Sequence, residues 1–196
     1  VPTLRRDGTL LDTPGYDRQS KLYYAPGATL RLPPVPIEPC FDDVQAAIEL
    51  IDEAVGEFPY ADVASRANLF GLLLTPILRP ALGGCTPVAL VDAPQPGTGK
   101  SLLVDILSRI TTGRPAAMMP YPKTEEEMEK RIGASLLGGR QLICFDNLEG
   151  ILQSPALALV LTAKEYETRI LGVSQNMLVP NHATWVVTGN NIRPSG

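Results

Sequence analysis

Histidine is almost missing from this sequence. His182 stands alone, and the three cysteines, Cys40, Cys85 and Cys144, lie far apart with no C-x-x-C spacing. That scarcity argues against a Cys/His zinc site. An odd number of thiols in apolar contexts predicts reduced, buried cysteines and a cytoplasmic protein. No apolar run reaches the ~18–20 residues that a membrane-spanning helix needs, and no secretory leader opens the chain, so no membrane partner is expected. Excess positive charge is lacking too. The net charge of −4 excludes a chain that is basic throughout and attracts nucleic acid as a whole. Residues 38–65 carry eight carboxylates and no Lys or Arg, whereas both flanks are slightly basic.

What is present suits one good core plus an appendage: 196 residues, 44% hydrophobic and 19% charged. Residues 1–37 are rich in Gly, Pro and Tyr, and the runs "GTLLDT", "SKLYYAP" and "ATLRLPP" predict short strands or hairpins turning at Asp7-Gly8, Pro14-Gly15 and Pro26-Gly27. Residues 38–82 read as a helical segment. In its first helix Val44, Ala47, Ile48, Ile51 and Val55 share one face, expected to pack on the core, while Asp52 and Glu53 belong to a solvated face. The second helix, about 61–80, is apolar almost all round and is expected to be buried, with a kink at Pro76.

From residue 83 strands alternate with helices, which predicts a parallel α/β sheet covered on both faces. "TPVALVDA", "AAMMPYP", "RQLICFDN" and "ATWVVTGNN" read as its strands, and "TRILGVSQNMLVP" as a hairpin. Thr124 and Glu127 form a capping box at the start of a helix running to Leu137. The chain starts with Val1 and stops just after a strand-like run, so it reads as a piece of something longer.

The chemistry concentrates in "DAPQPGTGKS". The pattern G-x-x-x-x-G-K-[ST] wraps backbone N–H groups around phosphate oxygens at a helix N-terminus. Here Pro94 stands in place of the first glycine, but Gly97 and Gly99, which make the tightest approach, are kept. Pro96, Gly97, Thr98, Gly99, Lys100, Ser101 and Leu102 form the expected ATP cradle. Lys100 would reach the β- and γ-phosphates, and the Ser101 hydroxyl would bind Mg²⁺. Asp146, about 45 residues on at the end of an apolar strand, is the second expected Mg²⁺ ligand.

Asn147 follows Asp146 and can orient water but is no base. Glu149 is the preferred water-activating residue, with Glu125 and Glu126 as a second possibility. Glu126–Lys130 and Glu127–Arg131 also fit ordinary i,i+4 pairs. Thr188 and Asn190 end a strand expected between those of the loop and Asp146, where an amide can sense the γ-phosphate.

Together, "PQPGTGKS", "LICFDN" and "TWVVTGN" resemble the Walker A, Walker B and sensor-1 motifs of AAA+ P-loop ATPases over residues 86–192. Longer strings, among them "TPGYDRQSKLYY" and "LLLTPILRPAL", resemble the ATPase part of phage- and plasmid-type primase–helicases. The resemblance implies a P-loop NTPase core, truncated at its C-terminus and preceded by a small β-rich leader and two helices. It also implies a central P-loop strand, a ring homo-oligomer, DNA as partner of the full-length protein, and an arginine finger and lid beyond Gly196. Another AAA+ remodelling ATPase, or a nucleotide-dependent switch with little hydrolysis, is the alternative. In a ring helicase the predicted hairpin, with Lys164 before it and Arg169 within it, could touch DNA phosphate, although ordinary surface charge is the commoner role for each; Arg193 sits too close to the end of the sensor strand to be the expected arginine finger.

Overall fold

The computed structural model describes residues 1–27, 30–169 and 175–195. Four parallel strands form the central sheet: β5 (Ala89–Ala93), β6 (Ala117–Pro120), β7 (Leu142–Leu152) and β10 (Thr184–Pro194), in the order β5-β10-β7-β6. Five helices accompany them: α1 (Phe41–Val55), α2 (Val63–Leu78), α3 (Lys100–Thr112), α4 (Glu125–Leu137) and α5 (Pro155–Thr162). Two short hairpins form the leader, β1 (Thr3–Leu4) with β2 (Leu10–Leu11) and β3 (Gly15–Asp17) with β4 (Leu22–Tyr24). A third pairs β8 (Glu165–Arg169) with β9 (Asn176–Pro180). Of the predicted hairpin "TRILGVSQNMLVP", residues 170–174 lie outside the described residues, as do residues 28–29 of "ATLRLPP"; the described part of the latter forms no strand.

Strand alternation sorts the core into two layers. Ile143, Phe145, Trp185 and Val187 face α4, α5 and the β8–β9 hairpin, where Phe145 stacks on Trp185 with ring centroids 6.1 Å apart. Leu142, Cys144 and Val186 face the other way, onto Leu103, Val104 and Leu107 of α3 and Leu69, Leu72 and Leu73 of α2. Gly133 is where α4 meets β8: a Cβ there would stand 2.0 Å from the Thr168 hydroxyl. Thr124 accepts from the Glu127 N–H at 3.3 Å to open α4, and Ser154 does the same for α5 from Leu157 at 3.1 Å.

Four expectations change. The first helix docks only by its C-terminal end. Val55 is buried and Ile51 partly so, but Val44 (46% exposed) and Ile48 (37%) are not, because the first turns of α1 project past the core formed by α2 and α3. Asp52 is not a free surface charge: it pairs with Arg66 and so ties α1 to α2. The second helix is buried on one face, through Leu69, Leu72, Leu73 and Pro76, while Leu74 is exposed. Only Cys144 is buried; Cys40 and Cys85 are exposed, since they lie just before α1 and in the turn ahead of β5 rather than in core strands.

Candidate functional site

The loop between β5 and α3 turns through left-handed conformations at Gly97 (φ 78°) and Gly99 (φ 86°), which glycine adopts without strain. The first intrahelical bond of α3 runs from the Leu103 N–H to the Gly99 carbonyl at 2.9 Å. The N–H groups of Lys100, Ser101 and Leu102 therefore precede it and point from the helix end. Leu102 contributes backbone only, as its side chain is exposed. Pro94 and Pro96 stand exposed on the loop, and the Pro94 carbonyl accepts from Asn191 at 3.4 Å.

The Lys100 ammonium lies over this loop. It donates to the Gln95 carbonyl at 3.2 Å, the Thr98 hydroxyl at 3.3 Å and Asn190 Oδ1 at 2.9 Å. Beside it, the Ser101 hydroxyl donates to Asp146 Oδ1 at 2.8 Å, and the Thr188 hydroxyl donates to the same oxygen. Thr188 in turn accepts from the Asn147 N–H at 3.1 Å. Three segments that are remote in sequence, 95–101, 146–147 and 188–190, thus meet at the carboxyl edge of the sheet.

The local cause is a register shift. Between Val187↔Phe145 and Gly189↔Leu148, β7 has one residue more than β10, and Asn147 takes φ 62°. Such a bulge bends the strand and re-aims a side chain, here Asp146. Gly189 permits the close approach, because a Cβ there would stand 2.3 Å from the Leu148 carbonyl oxygen. The four-stranded part of the sheet ends at Asp146, opposite Pro120. The strand does not stop there as expected: β7 and β10 stay paired to Leu152 and Pro194, with β5 alongside as far as Asn190↔Ala93 and a two-stranded ribbon beyond it. The bulge keeps pairing possible beyond the site.

Glu149 lies on β7 just past the bulge, exposed and in register with Asn190. Arg193 lies farther along, opposite Ile151. Glu125 is occupied elsewhere: its carboxylate accepts from the Ser154 hydroxyl and the Ala156 N–H, capping α5. Glu126 and Glu127 form their i,i+4 pairs with Lys130 and Arg131. Lys164 and Arg169 are exposed on the β8–β9 hairpin.

The donor set around Asp146 and Ser101 is all oxygen, which suits a hard cation such as Mg²⁺ that keeps water and phosphate ligands. Among the described residues no group of three His, Cys, Asp or Glu could form an all-protein metal cage. Below Asp146, burial and then the Asp146 charge push the Cys144 thiol up to about 12, so it stays a neutral core group.

Sequence reasoning missed the α1–α2 connection. A Cβ on Gly99 would meet the Phe58 ring at 3.0 Å, and Tyr60 is fixed by its hydroxyl donating to the Val55 carbonyl at 2.7 Å. Phe58, Tyr60 and Asn68 line a groove of about 1170 Å³ that runs from Thr98 and Lys100 along β5. The available signal was the aromatic pair around Pro59. The resemblance implied a central place for β5; here it is an edge strand, and among the described residues no strand pairs with its outer side.

The architecture is an α/β fold: a four-stranded parallel sheet with helices on both faces. It resembles that of a solved structure, the A form apo structure of the C-terminal region of NrS-1 (residues 305–718), with a TM-score of 0.50 at 18% identity. The match covers 86% of this chain and 36% of that one, so the chain spans about a third of its length. No family model and no curated protein sequence matches the chain. No helix among the described residues is long and apolar enough to cross a membrane.

Proposed function

We propose that the chain is the ATP-binding and hydrolysing motor core of a DNA-replication helicase of the primase–helicase type, working as a ring when complete. The observation that carries this reading is the convergence of the Lys100 ammonium, the Ser101–Asp146 pair and Asn190 beside a glycine loop at a helix start. In this reading the loop N–H groups and Lys100 bind the β- and γ-phosphates. Ser101 and Asp146 hold Mg²⁺, which would neutralise charge developing on the transferring phosphoryl group. Asn190 leaves Lys100 to align water or the terminal phosphate, and Glu149 takes the proton from water. Phe58 and Tyr60 flank the groove that would accept the base. The arginine that completes phosphoryl transfer comes from a neighbouring subunit and is worth roughly 10³–10⁵ in rate.

A second reading is a nucleotide-dependent switch, favoured by Asn147, which places no base directly after Asp146. Steady-state phosphate release separates the two. The isolated chain should turn over far below the ~1–10³ s⁻¹ of common enzymes. In the full-length protein, single-stranded DNA should stimulate release and Glu149→Gln should abolish it. Unchanged turnover in Glu149→Gln, with no response to DNA, would favour the switch.

A further inference from the structure

The opposite, amino edge of the sheet carries a second cavity, of about 360 Å³. Arg79 follows α2, Arg114 precedes β6, Arg140 precedes β7 and His182 precedes β10, and all four line it. No Asp or Glu does. Arg79 is only 4% exposed, and its guanidinium donates to the carbonyls of Gly84, Asn181 (2.9 Å) and Ala183 (3.4 Å). None of the five ion pairs among the described residues includes Arg79, Arg114 or Arg140. The three carbonyls hold the buried Arg79 guanidinium in the cavity wall, whereas Arg114 and Arg140 are exposed and pair with no carboxylate, which leaves them free to meet an anion. The positive field is also felt by His182, held below its ordinary range first by burial and then by Arg79 and Arg6.

A second observation narrows the anion. In the β3–β4 hairpin Tyr16 and Tyr23 are directly opposite each other, so their rings share one face. Both are exposed, at 61% and 72%, and Tyr23 lines the same cavity while Tyr24 is buried and anchors the hairpin. The leader adds Arg5, Arg6, Arg18, Lys21 and Arg31 against Asp7, Asp12 and Asp17. Exposed aromatic faces beside unpaired arginines are what single-stranded nucleic acid uses: bases stack and phosphates meet cations.

We propose that this amino-edge cavity binds single-stranded nucleic acid, with Arg114 and Arg140 meeting backbone phosphate and the Tyr16–Tyr23 pair stacking a base. Arg79 acts as a positioning residue, fixing the cavity wall from inside. The site goes beyond the motor reading, because strand binding here holds whether or not the carboxyl edge turns over ATP.

The test is fluorescence anisotropy with a labelled oligothymidylate and no ATP, in the Lys100→Ala background so that the other edge makes no contribution. Arg114→Ala/Arg140→Ala should weaken binding at least tenfold. It should also reduce the slope of log K against log salt by about 1.4, two phosphates at roughly 0.7 each. Tyr23→Ala should weaken binding about fivefold or more, and Tyr23→Trp should restore it. Lys164→Glu/Arg169→Glu, on the other hairpin, should change it less than twofold. The single histidine gives a direct reporter: the His182 ring proton signals should shift when the oligonucleotide is added. Thymidine monophosphate is the other source of the same chemistry; it should not compete at millimolar concentration, and full competition by it would overturn the strand assignment. The proposal fails if the parent chain does not bind the oligonucleotide, if the double arginine variant binds with unchanged affinity and slope, or if His182 does not shift.

Discussion

At the carboxyl edge of the sheet Lys100 rests on Asn190, Gln95 and Thr98, and the Asp146 carboxylate is held by two hydroxyls. At the amino edge Arg79, Arg114 and Arg140 gather around a cavity with no carboxylate. The first edge has both charges internally partnered, so its groups are held in place before any ligand arrives. The second holds Arg79 on three carbonyls but leaves Arg114 and Arg140 exposed and without a carboxylate, so it carries surplus positive charge that an outside anion can meet. Preorganisation favours chemistry, because fixed groups need no rearrangement as charge develops. Surplus charge favours capture, with affinity that falls as salt rises. One sheet thus separates a site suited to reaction from a site suited to holding.

The two edges share the layer between them, and removing that layer should disturb both. Phe145→Ala deletes a fully buried ring stacked on Trp185, and should lower stability by about 3–5 kcal/mol in chemical denaturation. A loss below about 1 kcal/mol would show that the edges do not depend on this layer. Arg79→Met should act on the amino edge alone. It removes charged hydrogen bonds to three carbonyls, for a loss of about 1.5–3 kcal/mol, while nucleotide affinity at the carboxyl edge stays within twofold. A parallel loss of nucleotide binding would show that the edges are coupled. Thr188→Val is the reverse probe. It strips a hydroxyl from Asp146 and from the Asn147 N–H, for about 1 kcal/mol, and should weaken Mg²⁺-dependent nucleotide binding without affecting oligonucleotide binding. The smallest effect is chemical: under native conditions iodoacetamide should label Cys40 and Cys85 but not Cys144, whose thiol is buried and pushed up to about 12. Labelling of all three by mass spectrometry would mean that the sheet opens.

These edges also differ in how far they could be read from sequence. The carboxyl edge is local: Gly97 to Ser101 are contiguous, and Asp146 and Asn190 each end an apolar run, so period-two strands and a glycine loop place them without tertiary knowledge. The amino edge is assembled from single residues: Tyr23 comes from a three-residue strand, and Arg79, Arg114, Arg140 and His182 each precede or follow an element, where no periodicity operates. The same limit explains α1. Its apolar stripe at Val44, Ile48, Ile51 and Val55 states which face could pack, but how far the helix extends past its partners depends on where α2 and α3 end. The bulge at Asp146–Asn147 escaped notice because the residues continuing β7 to Leu152 look like a turn: Gly150 and Asn147 both have positive φ. Glu125 looked like a candidate base and proved to be a helix cap, a role set by a partner helix 29 to 31 residues away.

Calorimetric titration with a non-hydrolysable ATP analogue, with and without Mg²⁺, tests the central claim most directly. The chain should bind the analogue. Lys100→Ala should lose about thirtyfold to several thousandfold, about 2–5 kcal/mol for a desolvated charge pair. Asp146→Ala should weaken binding only when Mg²⁺ is present. Equal affinity in the parent chain and Lys100→Ala would contradict the account, leaving residues 94–101 as a turn between a strand and a helix.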